Sequence, residues 1–213
     1  MRKKYSVVTL CGSTRFKDEF ERVQKELTLE GNIVISVGLF GHSGDKEVWE
    51  GMSEDTATDT KKMLDDMHKE KIDMADRIYV INPDGYIGKS TWSEICYAFM
   101  TDKPIDAMED IPSSIIEKRV RERIAKAELW AWQNRDTVIH AGHPSAITEC
   151  PYIKHKGERV YDPWCIYPER YNGGPMPEHG KDYERIDPFE KYGKKKMARF
   201  IEELVSLCGN GEI

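Results

Sequence analysis

From residue 5 to about 107, short β-rich apolar runs alternate with stretches of helical periodicity, the pattern of βαβ units built around a parallel sheet. Strands are predicted at Tyr5–Cys11, Asn32–Val37, Arg77–Asn82 and Pro104–Ala107. Between the first two, Phe16, Phe20, Val23 and Leu27 recur at helical spacing, Ser13 or Thr14 stands ready to cap that helix, and Gly31 stops it. A second helix is predicted from about Thr56 to Ala75, with Met63, Leu64, Met67, the Lys71 stem and Met74 along one side as core filler. After the turn Asn82-Pro83-Asp84-Gly85 a third begins, with Ser90 or Thr91 as its cap.

Beyond Pro112 the pattern changes. Ser114-Ile115-Ile116-Glu117 reads as a capping box opening an amphipathic helix through Ile116, Val120, Ile124 and Ala127 to about Trp132. Residues 140 to 187 are rich in Pro, Gly, Tyr and His and show little periodicity, so a loop-rich appendage is expected. A last helix, capped by Asp187 and carrying Met197, Phe200, Ile201 and Leu204, is stopped by Gly209. The expected fold is therefore α/β, a Rossmann-like or flavodoxin-like three-layer sandwich with a parallel sheet, followed by a loop-rich and helical C-terminal appendage.

Composition narrows the classes of function. The 213 residues are 39% hydrophobic and 33% charged, with no apolar run near the roughly 18 residues that a bilayer span needs. A formal charge of −6 offers no general footprint for a nucleic-acid polymer. The five cysteines (Cys11, Cys96, Cys150, Cys165 and Cys208) are odd in number and lack close pairing, which argues against a disulfide framework and fits a reducing cytoplasm. His140, His143, Cys150, His155, Cys165 and His179 lack the spacing of a structural zinc site, so no metal is expected.

Three groups of residues carry candidate chemistry. Cys11-Gly12-Ser13-Thr14-Arg15 lies between a strand and a helix. Glycine there lets the backbone approach an anion, and the hydroxyls and guanidinium supply donors suited to a phosphate; the plainer alternative is an ordinary strand-to-helix turn. Glu94, near the start of the helix after the third strand, reaches the same carboxyl edge. It can attack an anomeric carbon or support an oxocarbenium-like transition state, or it can merely close the capping box Thr91-Trp92-Ser93-Glu94. Asp65-Asp66-Met67-His68, with Asp73 and Asp76, is either a solvated acidic face or a group in which His68 donates a proton and the aspartates orient a hydroxyl or a base.

The run Tyr5–Cys11 into Gly12-Ser13-Thr14-Arg15, then Ile72-Asp73-Met74-Ala75-Asp76-Arg77-Ile78-Tyr79-Val80-Ile81, then Gly88 through Glu94 and Tyr97-Ala98, resembles the nucleoside 2-deoxyribosyltransferase superfamily. Its glycine-serine-x-arginine loop is most similar to that of the 2′-deoxynucleoside 5′-phosphate N-hydrolases, and the resemblance covers about residues 5 to 107. It implies a deoxyribosyltransferase-like domain over 1–110; residues 111–213 lie outside the resemblance, and their aromatic and proline content predicts a helical and loop-rich extension packed on the core. The resemblance also implies cleavage of the N-glycosidic bond of a nucleoside 5′-monophosphate, by hydrolysis or by transfer to a second base, without a cofactor.

On the same resemblance Glu94 is the nucleophile, Gly12, Ser13, Thr14 and Arg15 hold the phosphate, and neighbouring subunits of a homodimer or larger homo-oligomer complete the site. Three positions depart from the family pattern: an aspartate is replaced by His68, a tyrosine by Thr9, and an aspartate or serine by Gly88. Asp65, one helical turn from His68, and Ser90 stand in for the first and third, which places Thr9, Gly88 and Ser90 at the sugar and base. Those departures favour a second reading, a non-catalytic module that binds or senses a nucleotide in the same pocket.

Overall fold

The structure, a computed structural model, describes residues 4–40, 54–134, 154–155, 158–159 and 193–208. They divide into two compact units, 1–120 and 121–213, so the boundary falls inside a helix rather than at 110/111.

The first unit is α/β. Its elements run β1 (Val7–Gly12), α1 (Lys17–Leu29), β2 (Ile33–Ile35), α2 (Glu54–Met74), β3 (Arg77–Ile81), a 3-10 turn (Pro83–Gly85), α3 (Lys89–Met100) and β4 (Ile105–Ala107). A further helix, α4 (Ser113–Gln133), begins in this unit. The four strands form one parallel sheet in the order β2-β1-β3-β4, with Val8 opposite Val34 on one side and Thr9 opposite Ile78 on the other. Val8, Thr9, Leu10 and Cys11 are all fully buried, as a central strand covered on both faces requires. Val8, Leu10 and Ile81 pack with Phe20, Val23 and Leu27 of α1, the face that its periodicity predicts. Gly31 (φ +87°) ends that helix, its N–H bonded to the Thr28 carbonyl.

Gly12 owes its place to packing. A Cβ there would lie 2.8 Å from the Ile81 carbonyl oxygen and 3.1 Å from the Phe20 ring, so a side chain would force β1 and β3 apart. Gly12→Ala is expected to destabilise the protein by about 1–3 kcal/mol. Urea denaturation checks this, and an unchanged midpoint would refute it.

Several local expectations are corrected. Neither Ser13 nor Thr14 caps α1; the helix starts at Lys17, after a turn in which the Phe16 N–H bonds to the Ser13 carbonyl. Gly88, not Ser90 or Thr91, is the N-cap of α3, which leaves Glu94 more than a turn inside the helix and dissolves the proposed capping box. The α4 helix starts at Ser113, ahead of its predicted cap at Ser114, with the Ile116 N–H bonded to the Pro112 carbonyl. The methionine stripe of α2 is not core: Met63, Met67 and Met74 are about half exposed, while His68, Ile72 and Ala75 are buried. Lys103 explains how α2 ends, since its ammonium donates to the Asp73 and Ala75 carbonyls.

In the second unit, Ile124, Ala127 and Ala131 of α4 are fully buried, as are Met197, Ile201 and Leu204 of α5 (Lys194–Cys208). A partly desolvated ion pair joins Arg123 to Glu202 at 3.6 Å. The α5 helix follows Gly193 (φ +75°), so no helix runs through that position; the predicted cap at Asp187 and stop at Gly209 lie outside the described residues. So do most of residues 140–187, including His140, His143, Cys150, Cys165 and His179 of the residues weighed as zinc ligands, whereas His155 belongs to β5 (Lys154–His155), which forms a small antiparallel ladder with β6 (Glu158–Arg159). Among the described residues no helix is long and apolar enough to cross a membrane.

Candidate active site

In a parallel sheet with order 2-1-3-4, neighbouring connections leave β1 in opposite directions, and a crevice opens at the carboxyl ends of β1 and β3. A cavity of about 530 Å³ lies there, within the size range of small-molecule sites. The loop Gly12-Ser13-Thr14-Arg15 after β1 lines it, together with Asp65 and His68 from α2 and Gly88, Ser90 and Glu94 from the start of α3. Nine of the ten predicted site residues line this cavity, and Thr9 is the exception. Thr9 is fully buried, and its hydroxyl donates to the Lys71 carbonyl at 2.8 Å, tying β1 to α2. Its predicted role at the sugar or base is therefore replaced by a structural one.

The deep end of the cavity is built from three elements. Glu94 comes from α3 with 12% of its side chain exposed, and its Oε1 lies 3.8 Å from Nε2 of His68 on α2, which is 7% exposed. Cys11, at the end of β1, hydrogen-bonds the Glu94 side chain through its thiol. Burial, followed by the nearby Asp65 carboxylate, pushes Glu94 up to about 8, so the group holds its proton at neutral pH in the empty pocket. Burial also pushes the Cys11 thiol up.

His68 behaves in the opposite sense. Burial, then the Lys71 ammonium, lowers it to about 4, and a hydrogen bond to the Leu10 backbone opposes the fall. Since Nε2 has no hydrogen-bond partner among the described residues, the contact to Leu10 belongs to Nδ1–H donating to the carbonyl, and Nε2 keeps its lone pair. The predicted proton donor is thus a neutral acceptor. Glu94 Oε2 is a second buried polar atom with no partner. Two such atoms side by side mark a place where a ligand group completes the bonding.

The mouth of the cavity has a different character. Arg15 lies with its guanidinium 4.4 Å from the centre of the Tyr86 ring, and Phe16 meets the same ring edge-on. Lys61, Lys71 and Lys89 also line the cavity, so four basic side chains face two carboxylates within a chain of net charge −6. Val37, Leu39, Leu64 and Met67 add an apolar wall. Anionic and aromatic ligand groups are both suited to such a surface.

Asp66, Asp73 and Asp76 stand apart from this site, unlike Asp65 of the same acidic run. Asp66 is exposed, Asp73 accepts a hydrogen bond from the Tyr97 hydroxyl, and Asp76 accepts one from the Val7 N–H. Sequence reasoning gave no site role to Lys71 or Tyr86, and none to Cys11 although that residue opens the first candidate run. Lys71 had a signal, since it lies three residues from His68 and so shares its helix face. Comparison with protein-family models, with curated proteins and with solved structures found no match to this chain.

Proposed function

We propose that the protein belongs to the nucleoside 2-deoxyribosyltransferase superfamily and cleaves the N-glycosidic bond of a nucleoside 5′-monophosphate. The observation that carries this reading is the meeting of Glu94 with the Gly12–Arg15 loop on one cavity at the carboxyl edge of the sheet. The strand order supports a Rossmann-like or flavodoxin-like sandwich, whose crevice lies at that edge.

The phosphate rests on Ser13, Thr14 and Arg15, and the base lies along the apolar wall. The Glu94 carboxylate attacks C1′ of the sugar; a C–O bond forms, the C1′–N bond breaks, and the base leaves with the bonding pair and takes a proton from solvent. Water then attacks C1′ and releases the carboxylate, while neutral His68 accepts the water proton at Nε2 and passes it to solvent. A second base in place of water completes a transfer. Asp65 orients the sugar hydroxyls, and no cofactor takes part. Widely scattered cysteines support action in the cytoplasm, and the family resemblance supports a homodimer or larger homo-oligomer.

One observation favours the second reading, a non-catalytic nucleotide-binding module: a carboxyl that holds its proton up to about pH 8 is a poor nucleophile at neutral pH. Incubation with a panel of ribo- and deoxyribonucleoside 5′-monophosphates, with free base followed by chromatography, separates the two. Base release supports the glycosidase; monophosphate binding without release supports the sensor.

The phosphate assignment has its own check. Arg15→Ala is expected to weaken monophosphate binding by roughly 1.5–3 kcal/mol, the worth of a charge-assisted hydrogen bond, and to leave free nucleosides little affected. Calorimetric titration reads both affinities, and equal weakening would remove the loop from the phosphate.

A further inference from the structure

We propose that Cys11, His68 and Glu94 together form a binding site for one divalent transition-metal ion of the zinc class. One donor atom from each residue lies within 4.8 Å of the others. A thiolate sulfur, an imidazole nitrogen and a carboxylate oxygen are all zinc ligands, and three protein ligands with one open position is the arrangement of reactive zinc sites. His68 and Glu94 line the cavity, which provides the entry path.

The surroundings are those of a metal-binding histidine. The Leu10 carbonyl takes the Nδ1–H of His68, which fixes the ring and leaves the Nε2 lone pair towards Glu94. Nε2 of His68 and Oε2 of Glu94 are buried without partners among the described residues, so two of the three ligands have bonding capacity to offer. A tetrahedral ion holds its donor atoms roughly 3.3–3.8 Å apart. The 3.8 Å between His68 Nε2 and Glu94 Oε1 meets that span, and the Cys11 sulfur stands within 4.8 Å of its two partner ligands.

Charge balance also favours occupancy. An entering ion bonds sulfur, oxygen and Nε2, while the thiol and carboxyl protons leave to solvent. The two positive charges gained match the two protons lost, so the buried cluster keeps its net charge. An ion so held occupies the lone pairs with which Glu94 would attack a sugar, so metal binding and glycosyl chemistry are alternative states of one carboxylate. The metal site stands or falls independently of that chemistry, because its readout is binding.

The test uses the full chain, stripped with a chelator, dialysed and titrated with cobalt(II) and then zinc(II). The expected result is one equivalent of cobalt with a thiolate-to-cobalt charge-transfer band that zinc abolishes. Cys11→Ser should lose the band, whereas Cys150→Ser and Cys165→Ser should keep it. His68→Gln and Glu94→Gln should each weaken cobalt binding by at least the roughly 10–100-fold that follows loss of an outer-shell partner. Absence of the band in the wild-type protein, or its survival in Cys11→Ser, overturns the proposal. If circular dichroism shows Cys11→Ser unfolded, the other two variants decide, and unchanged cobalt affinity in both overturns it.

Discussion

Glu94→Gln is expected to lower base release from a nucleoside 5′-monophosphate by about 10⁴-fold, some 5–6 kcal/mol of activation free energy, while the nucleotide still binds. The amide has nearly the shape of the carboxyl, can accept the Cys11 hydrogen bond and can donate towards His68 Nε2, so the pocket keeps its form. What it loses is the nucleophilic oxygen. The pH profile supplies a companion measurement on metal-free protein. Because the reactive form is the carboxylate, kcat/KM should rise about tenfold per pH unit and level off near 8, where Glu94 ionises. A helix-capping or purely sensory Glu94 predicts neither result, and full activity in Glu94→Gln would end the glycosidase reading.

The second large effect is on stability. Folded Glu94 keeps its proton up to about pH 8 and the unfolded group releases it near 4.5, so between these values the folded state binds more protons and stability falls as pH rises. His68 works the other way: unfolded it takes a proton near 6.5, folded only near 4, so stability falls as pH drops through that window. The two slopes oppose each other between about 4.5 and 6.5, which leaves Glu94 alone to weaken the fold from 6.5 to 8. Glu94→Gln should therefore be more stable than the wild-type chain by on the order of 4 kcal/mol at pH 8.5, with little difference at pH 4.5. Urea midpoints of both proteins across this range, in chelator, give the difference directly, and parallel curves would show that Glu94 is not desolvated.

The part of the fold that could be read from sequence is the part written in local periodicity. The four strands of the first unit were expected in their observed chain order, and Phe20, Val23 and Leu27 were placed on the buried face of α1. Rotation of α2 was not legible in the same way. Met63, Met67 and Met74 share helical spacing just as Leu64, His68, Ile72 and Ala75 do, and hydrophobicity selected the wrong face because a histidine occupies the centre of the right one. That violation is itself the mark of a site: the polar residue inside is the one that meets Glu94.

Capping motifs misled for a related reason. Ser13, Thr14, Ser90 and Thr91 have the chemistry of caps, but Phe16 and Gly88 occupy the cap positions because β1 and the turn before α3 fix where each helix enters. Nearly all of the predicted site residues line one cavity, whereas Cys11, though it opens the first candidate run, was given no role. In a strand covered on both faces, alternation no longer tells a site residue from a core residue, and Val8 through Cys11 are buried alike.

The outermost strands of the four-stranded sheet, β2 and β4, have three residues each. So short an edge exposes few unpaired backbone groups, too few to template a strand from another chain. Growth of this sheet from copy to copy is thereby disfavoured, and subunits that assemble do so side chain against side chain, through helices and loops.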